Sequence, residues 1–138
     1  MALVTEEVRA KAEIYYGAET CEEKANDLLK EMEMPNGLLP LDNLEECGYD
    51  KESGLFWFIR KERKEIFFEG SGRLVSYEVM VTGYIEKGKI KKVSGIKSKE
   101  FGFWVPVREV YVHDSKITFK GPAGVSRTLP ISAMERTS

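Results

Sequence analysis

His113, Asp114 and Ser115 are the three residue types of a hydrolase triad, and they stand next to one another in the chain. A triad needs its groups in a line of hydrogen bonds with the base in the middle, whereas neighbours in an extended chain point in opposite directions. Asp-Ser between Val112 and Ile117 is therefore read as hairpin-turn chemistry, in which short polar side chains bond the local backbone. No G-x-S-x-G elbow holds a serine elsewhere. Cys47, before Gly48, is a nucleophile only with an imidazole in reach, and Cys21 and Cys47 lack C-x-x-C spacing, so both are expected as buried free thiols. The pairs Glu6-Glu7, Glu22-Glu23 and Glu45-Glu46 read as solvated faces rather than as carboxylates converging on a cleft. One histidine and two unrelated cysteines make no zinc or iron site. No catalytic, cofactor-binding or metal-ligating residue is assigned.

The strongest functional signal is basic. Lys87, Lys89, Lys91, Lys92, Lys97 and Lys99 place six lysines in 13 residues across one hairpin. Such a surface suits phosphate, anionic lipid headgroups or an acidic partner. Its ordinary structural explanation is protection of an exposed strand against sheet-to-sheet pairing. Nucleic acid is not an expected partner, because a net charge of −2 gives little long-range attraction to phosphodiester. The aromatics Trp57, Phe58, Phe67, Phe68, Phe103 and Trp104 sit inside apolar runs and are read as core rather than as a stacking platform.

Two kinds of element must position these residues. Val8, Ala12 and Tyr15 or Tyr16 recur at helical spacing, predicting a helix over 6–16 that stops at Gly17. Thr20 and Glu23 form a capping box, and Cys21, Ala25, Leu28, Leu29 and Met32 make the apolar stripe of a second helix ending before Pro35. Beyond Tyr49 the period changes to 2, with turn residues at hairpin intervals. Strands are predicted over 54–60, 64–68, 73–85, 89–96, 101–112, 116–120 and 125–131. Five consecutive apolar residues from Leu55 to Ile59 require cover on both faces, which assigns the second helix to the outside of that strand. Val75, Tyr77, Val79 and Val81 alternate with polar neighbours, as in a strand with one wet face. The switch of parity after Val107 predicts a bulge near Arg108, and Pro106 marks an edge or interruption.

The fold class expected is α+β, mainly β: N-terminal helices packed on a closed antiparallel β-barrel of about seven strands. At 138 residues one domain is expected, with a helical segment at 1–34, a connecting loop at 35–48 and the barrel at 49–135. Residues 1–54 carry 14 acidic and 5 basic side chains, and the remainder 9 acidic and 16 basic, so the halves are oppositely charged. The N-terminus has glutamates where a secretory signal needs an apolar run, and no stretch is apolar enough to span a membrane; a cytoplasmic location is expected.

The words GLLP at 37–40, GY at 48–49, VSYEVMVTGYI at 75–85, GKIKKVSGIKSKEFGFWVPV at 88–107 and the tail GPAGVSRTLPISAME at 121–135 resemble the plant family of domain of unknown function 538. The resemblance extends over 13–133, and the tail is similar to the subgroup without a signal peptide. It implies a helical segment on an antiparallel β-barrel and no established activity. Suggested roles in the family are a likeness to lipid-binding bactericidal/permeability-increasing proteins, chlorophyll binding or hydrolysis, and parts in stress responses and trichome growth. The leading expectation is a non-enzymatic module for a lipid or small apolar ligand, signalled by a cavity of about 300 Å3 or more. A pocketless protein-interaction module is the second and a weak ester hydrolase the third.

Overall fold

The computed structural model describes residues 3–134. The elements run α1 (Glu6–Lys11), β1 (Glu13–Tyr16), α2 (Ala18–Glu31), β2 (Leu44–Asp50), β3 (Leu55–Arg60), β4 (Lys64–Phe68), β5 (Arg73–Glu86), β6 (Lys89–Glu100), β7 (Phe103–Pro106), β8 (Glu109–His113), β9 (Lys116–Lys120) and β10 (Ser126–Pro130). Short 3-10 turns at Pro122–Gly124 and Ile131–Met134 flank β10. The last residue of the expected barrel, Glu135, lies outside the described residues. No described helix is long and apolar enough to cross a membrane.

The sheet is antiparallel throughout and is not the closed barrel of seven strands. Ten strands follow the order β1-β2-β3-β5-β6-β8-β9-β10, with β4 on β5 and β7 on β6, and β1 and β10 remain unjoined ends. Closure would need those two ends to pair. β1 is four residues long, and β10 ends on Pro130, which has no N–H to give. Length in the central hairpin lets two strands serve four neighbours. β5 pairs β4 through 73–77 and β3 through 80–84, while β6 pairs β7 through 97–100 and β8 through 89–90.

The first predicted helix is half strand. Residues 6–11 form α1, capped by the Thr5 hydroxyl accepting from the Val8 N–H at 3.2 Å, but 13–16 pair with β2. Pairing with β2 overrides a helical spacing supported by only three apolar residues. Similarly, β2 begins at Leu44, inside the stretch expected as loop. The helix α2 starts at Ala18 on Gly17 with no side-chain cap, so Thr20 and Glu23 form no capping box. Its apolar stripe is as predicted, with Cys21, Ala25 and Leu29 buried.

The strand β3 is buried on both faces: Leu55, Phe56, Trp57 and Phe58 are at most 2% exposed. The covering is different from that expected. Cys21, Ala25 and Leu29 join one core with Cys47, Phe56 and Phe58, so α2 lies on the core face. The opposite face is covered at Trp57 by α1, whose Arg9 guanidinium sits 5.9 Å from the ring centroid and also holds the Glu46 carboxylate at 2.7 Å. In β5 the dry and wet alternation fails at a register shift: Ser76 is buried beneath Arg63, and Val79 and Met80 are both exposed. The predicted strand 101–112 is interrupted after Pro106, and its two parts, β7 and β8, pair with different stretches of β6.

The loop carrying GLLP is tied to the sheet by its carbonyls. The buried Tyr77 hydroxyl donates to the Leu38 carbonyl at 2.8 Å, and the buried Arg60 guanidinium donates to the Pro40 carbonyl at 2.7 Å. Burial pushes the Tyr77 hydroxyl far above its ordinary pKa, so it remains a donor. Tyr77→Phe leaves the Leu38 carbonyl without that partner and is expected to cost about 1–3 kcal/mol in urea unfolding.

Candidate functional site: an apolar cavity with a charged mouth

The long hairpin folds over on itself at a bend. Between the register pairs Tyr77↔Ile96 and Thr82↔Ser94 the strand β5 contributes extra residues, and Gly95 opposite them adopts φ +95. The two halves of the sheet thus enclose space. An apolar cavity of about 90 Å3 is walled by Phe56, Tyr77, Ile90, Val93, Ile96 and Val110, with Leu38 and Leu39 also in its lining. That volume is several times what one water needs and falls well below the roughly 300–1,000 Å3 of a drug-sized site. It is also below the size expected from the sequence.

Where the partly exposed Arg73, Ser98, Glu100 and Arg127 line it, the cavity is polar. The Glu100 carboxylate accepts from Arg73 Nε at 3.0 Å, Arg127 Nη2 at 2.7 Å and Ser98 Oγ at 3.0 Å. Arg73 begins β5, Glu100 ends β6 and Arg127 lies in β10, so the cluster joins the free end of the sheet to the far end of the central hairpin. Each arginine donates one N–H to Glu100 in these bonds, and two guanidiniums against one carboxylate leave this cluster one positive charge in excess.

Burial is the largest influence on the Glu100 carboxyl and acts to raise its pKa; Arg127, Ser98 and Arg73 together outweigh it and hold the group below its usual range. Glu46 is also held low, first by its hydrogen bond from Arg9 and then by that from the Trp57 indole. Folded pKa values below the unfolded ones mean stabilisation that is complete above the unfolded value and is lost as pH falls through the folded one. Glu100→Gln is expected to lower the urea midpoint at neutral pH and to shrink its fall on acidification below about pH 4.3, the ordinary glutamate value.

The six lysines do not form one patch. Lys87, Lys89, Lys91 and Lys92 lie on one side of the Gly95 bend, where Lys89 pairs with Glu86 at 3.8 Å and Lys92 sits 5.6 Å from the Tyr84 ring centroid. Lys97 and Lys99 lie on the other side, near the charged mouth. Protection of a sheet edge does not account for Lys89 or Lys97, since β6 is paired on both sides at those two residues. His113 is exposed, and Asp114 and Ser115 take φ of 50 and 61 as the two central residues of the β8–β9 turn. Both cysteines are buried free thiols. Burial first, and Cys21 beside it second, push the Cys47 thiol up to about 12, which disfavours a thiolate at neutral pH.

Sequence reasoning missed Arg73, Glu100 and Arg127. It also misplaced three aromatics. Trp57 and Phe58 are core and Phe68 packs partly against it, but Phe67, Phe103 and Trp104 are exposed. A second depression, about 600 Å3 and open to solvent, lies between the GLLP loop and the end of β4; Glu22, Asp42 and Glu69 give it an acidic rim.

The profile of the family described as "Protein of unknown function, DUF538" matches residues 25–135. The words GLLP, GY, VSYEVMVTGYI and GKIKKVSGIKSKEFGFWVPV all fall within that span. An uncharacterized Arabidopsis thaliana protein, At5g01610, is 31% identical over 110 residues, which are 80% of this chain. The chain spans 63% of that relative's length. From the match across most of its length, the chain belongs to the plant family of proteins of unknown function DUF538.

Proposed function

We propose that this protein is a non-enzymatic binding module for a slender apolar ligand, an alkyl or acyl chain that carries an acidic end group. The apolar cavity ending on Arg73, Glu100 and Arg127 carries this reading. A narrow cavity suits a chain better than a macrocycle, because a chain can occupy it one methylene at a time. An acidic head at the mouth would meet the excess positive charge through guanidinium N–H groups, which bind carboxylate and phosphate in paired geometry.

Displacement of a fluorescent fatty-acid probe tests the proposal. Val93→Phe puts a ring into the cavity from a buried wall position and is expected to weaken the probe at least about tenfold, or 1.4 kcal/mol. Arg127→Gln is expected to weaken a fatty acid more than its methyl ester. Equal probe binding by Val93→Phe and the unsubstituted protein would overturn the assignment of the cavity.

A further inference from the structure

We propose that the β6–β7 hairpin tip is a membrane-docking element that seats in the interfacial layer of an anionic bilayer. Phe101 is 90% exposed and Phe103 73%, and with Gly102 between them they put two aromatic rings at the end of the hairpin. A turn needing positive φ at both central residues ordinarily takes Asn, Asp or Gly. Here the first position is Phe101 at φ 51, a conformation that bulky residues rarely adopt. Neither folding nor solubility benefits from a strained, solvated phenylalanine, so the position points to a surface that needs the ring.

The apolar surface continues beside the tip. The register places Phe67 opposite Leu74 and Lys99 opposite Trp104, and Val75 opposite Ser98 sets Leu74 next to Lys99. Phe67, Leu74, Lys99 and Trp104 therefore form one row across four strands, with the Lys99 ammonium 5.6 Å from the Trp104 ring centroid. Two residues along β6, Lys97 is exposed as well. Neither lysine is in a salt bridge among the described residues, whereas the Glu100 carboxylate at the base of the tip is neutralised by two arginines.

Charge selects the occupant. Exposed aromatics flanked by unpaired lysines match the chemistry of a bilayer interface, where rings sit at headgroup level and lysines reach anionic phosphates. A protruding two-residue turn suits a soft, penetrable surface. Two lysines at an anionic surface amount to roughly a thirty-fold preference over a neutral one. Val105 and Pro106, next to the tip, also line the cavity, so docking would set the mouth against the membrane. The inference stands on the tip alone, whether or not the cavity holds a ligand.

Flotation with vesicles of phosphatidylcholine containing about a third phosphatidylserine, compared with phosphatidylcholine alone, tests it. The unsubstituted protein is expected to float with the anionic vesicles and to be released by salt. Phe101→Ser with Phe103→Ser is expected to weaken binding at least about tenfold, and Lys97→Gln with Lys99→Gln to remove most of the preference for anionic lipid. A readout without substitutions is the fluorescence of Trp104, which brominated lipid should quench while the fully buried Trp57 persists. Val93→Phe should float like the unsubstituted protein. Protein that stays in solution with anionic vesicles, or that floats without quenching, overturns the proposal and leaves a protein partner as the occupant of the tip.

Discussion

Gly48→Ala is expected to destabilise this protein by about 3 kcal/mol, and replacement of Trp57 by leucine to remove most of that cost. Gly48 on β2 faces Trp57 on β3, and a Cβ at Gly48 would lie 2.1 Å from one ring carbon and 2.2 Å from another. A flexible side chain could yield, but this ring is fixed. It is 0% exposed, its indole N–H donates to the Glu46 carboxylate at 2.7 Å, and the Arg9 guanidinium covers it. Moving the ring would break a charge-assisted bond and open a void behind it, which places the cost near the upper end of the usual overpacking range of about 1–3 kcal/mol. Urea unfolding of the four proteins of a double-mutant cycle measures the coupling, expected at about 2 kcal/mol or more. Equal cost of Gly48→Ala in both backgrounds would show that something other than the indole demands glycine there.

How much of this was legible in the chain depends on how local the cause is. The five apolar residues from Leu55 state that both faces of β3 are covered, and they are. They do not state by what. Arg9 covers Trp57 with a guanidinium, and no apolar periodicity marks a cation lying over a ring. Residues 13–16 present helical spacing and yet pair with β2, because Tyr15 packs against the core from a strand. Barrel closure was not legible for the same reason. Strand number and hairpin spacing are local properties, whereas closure depends on the first and last strands meeting.

The functional surfaces divide similarly. Six lysines within 13 residues are plain in the sequence, but the bend at Gly95 separates them into two groups with different neighbours. Arg73, Glu100 and Arg127 are 27 residues apart at each step, and only the return of β10 toward the central hairpin brings the third to the first two. Phe101, Phe103, Val105 and Val107 alternate as a buried face does. The correct reading was available in Phe101-Gly102: a two-residue turn there exposes whatever flanks it, so alternation near a hairpin end does not establish burial.

Gly95→Ala is expected to cost about 3 kcal/mol or more and to lower the melting temperature by roughly 10 °C. Two separate penalties combine. At φ +95 an L-alanine pays about 1–2 kcal/mol for left-handed backbone. Its Cβ would also stand 2.4 Å from the Met80 carbonyl oxygen and 3.2 Å from the Val81 Cα, and backbone on the paired strand cannot rotate away as a side chain end can. Gly72→Ala isolates the first penalty, since Gly72 has φ +68 with nothing within 4 Å of an added Cβ. It is expected to cost only about 1 kcal/mol. The difference between the two measures how tightly β5 and β6 are pressed together at the bend. Because that bend turns the two halves of the sheet toward each other around the cavity, Gly95→Ala should also weaken the fatty-acid probe under conditions where the variant remains folded. If Gly95→Ala and Gly72→Ala cost the same, the close approach of Met80 does not hold the bend, and the cavity owes its shape to the charged cluster at its mouth instead.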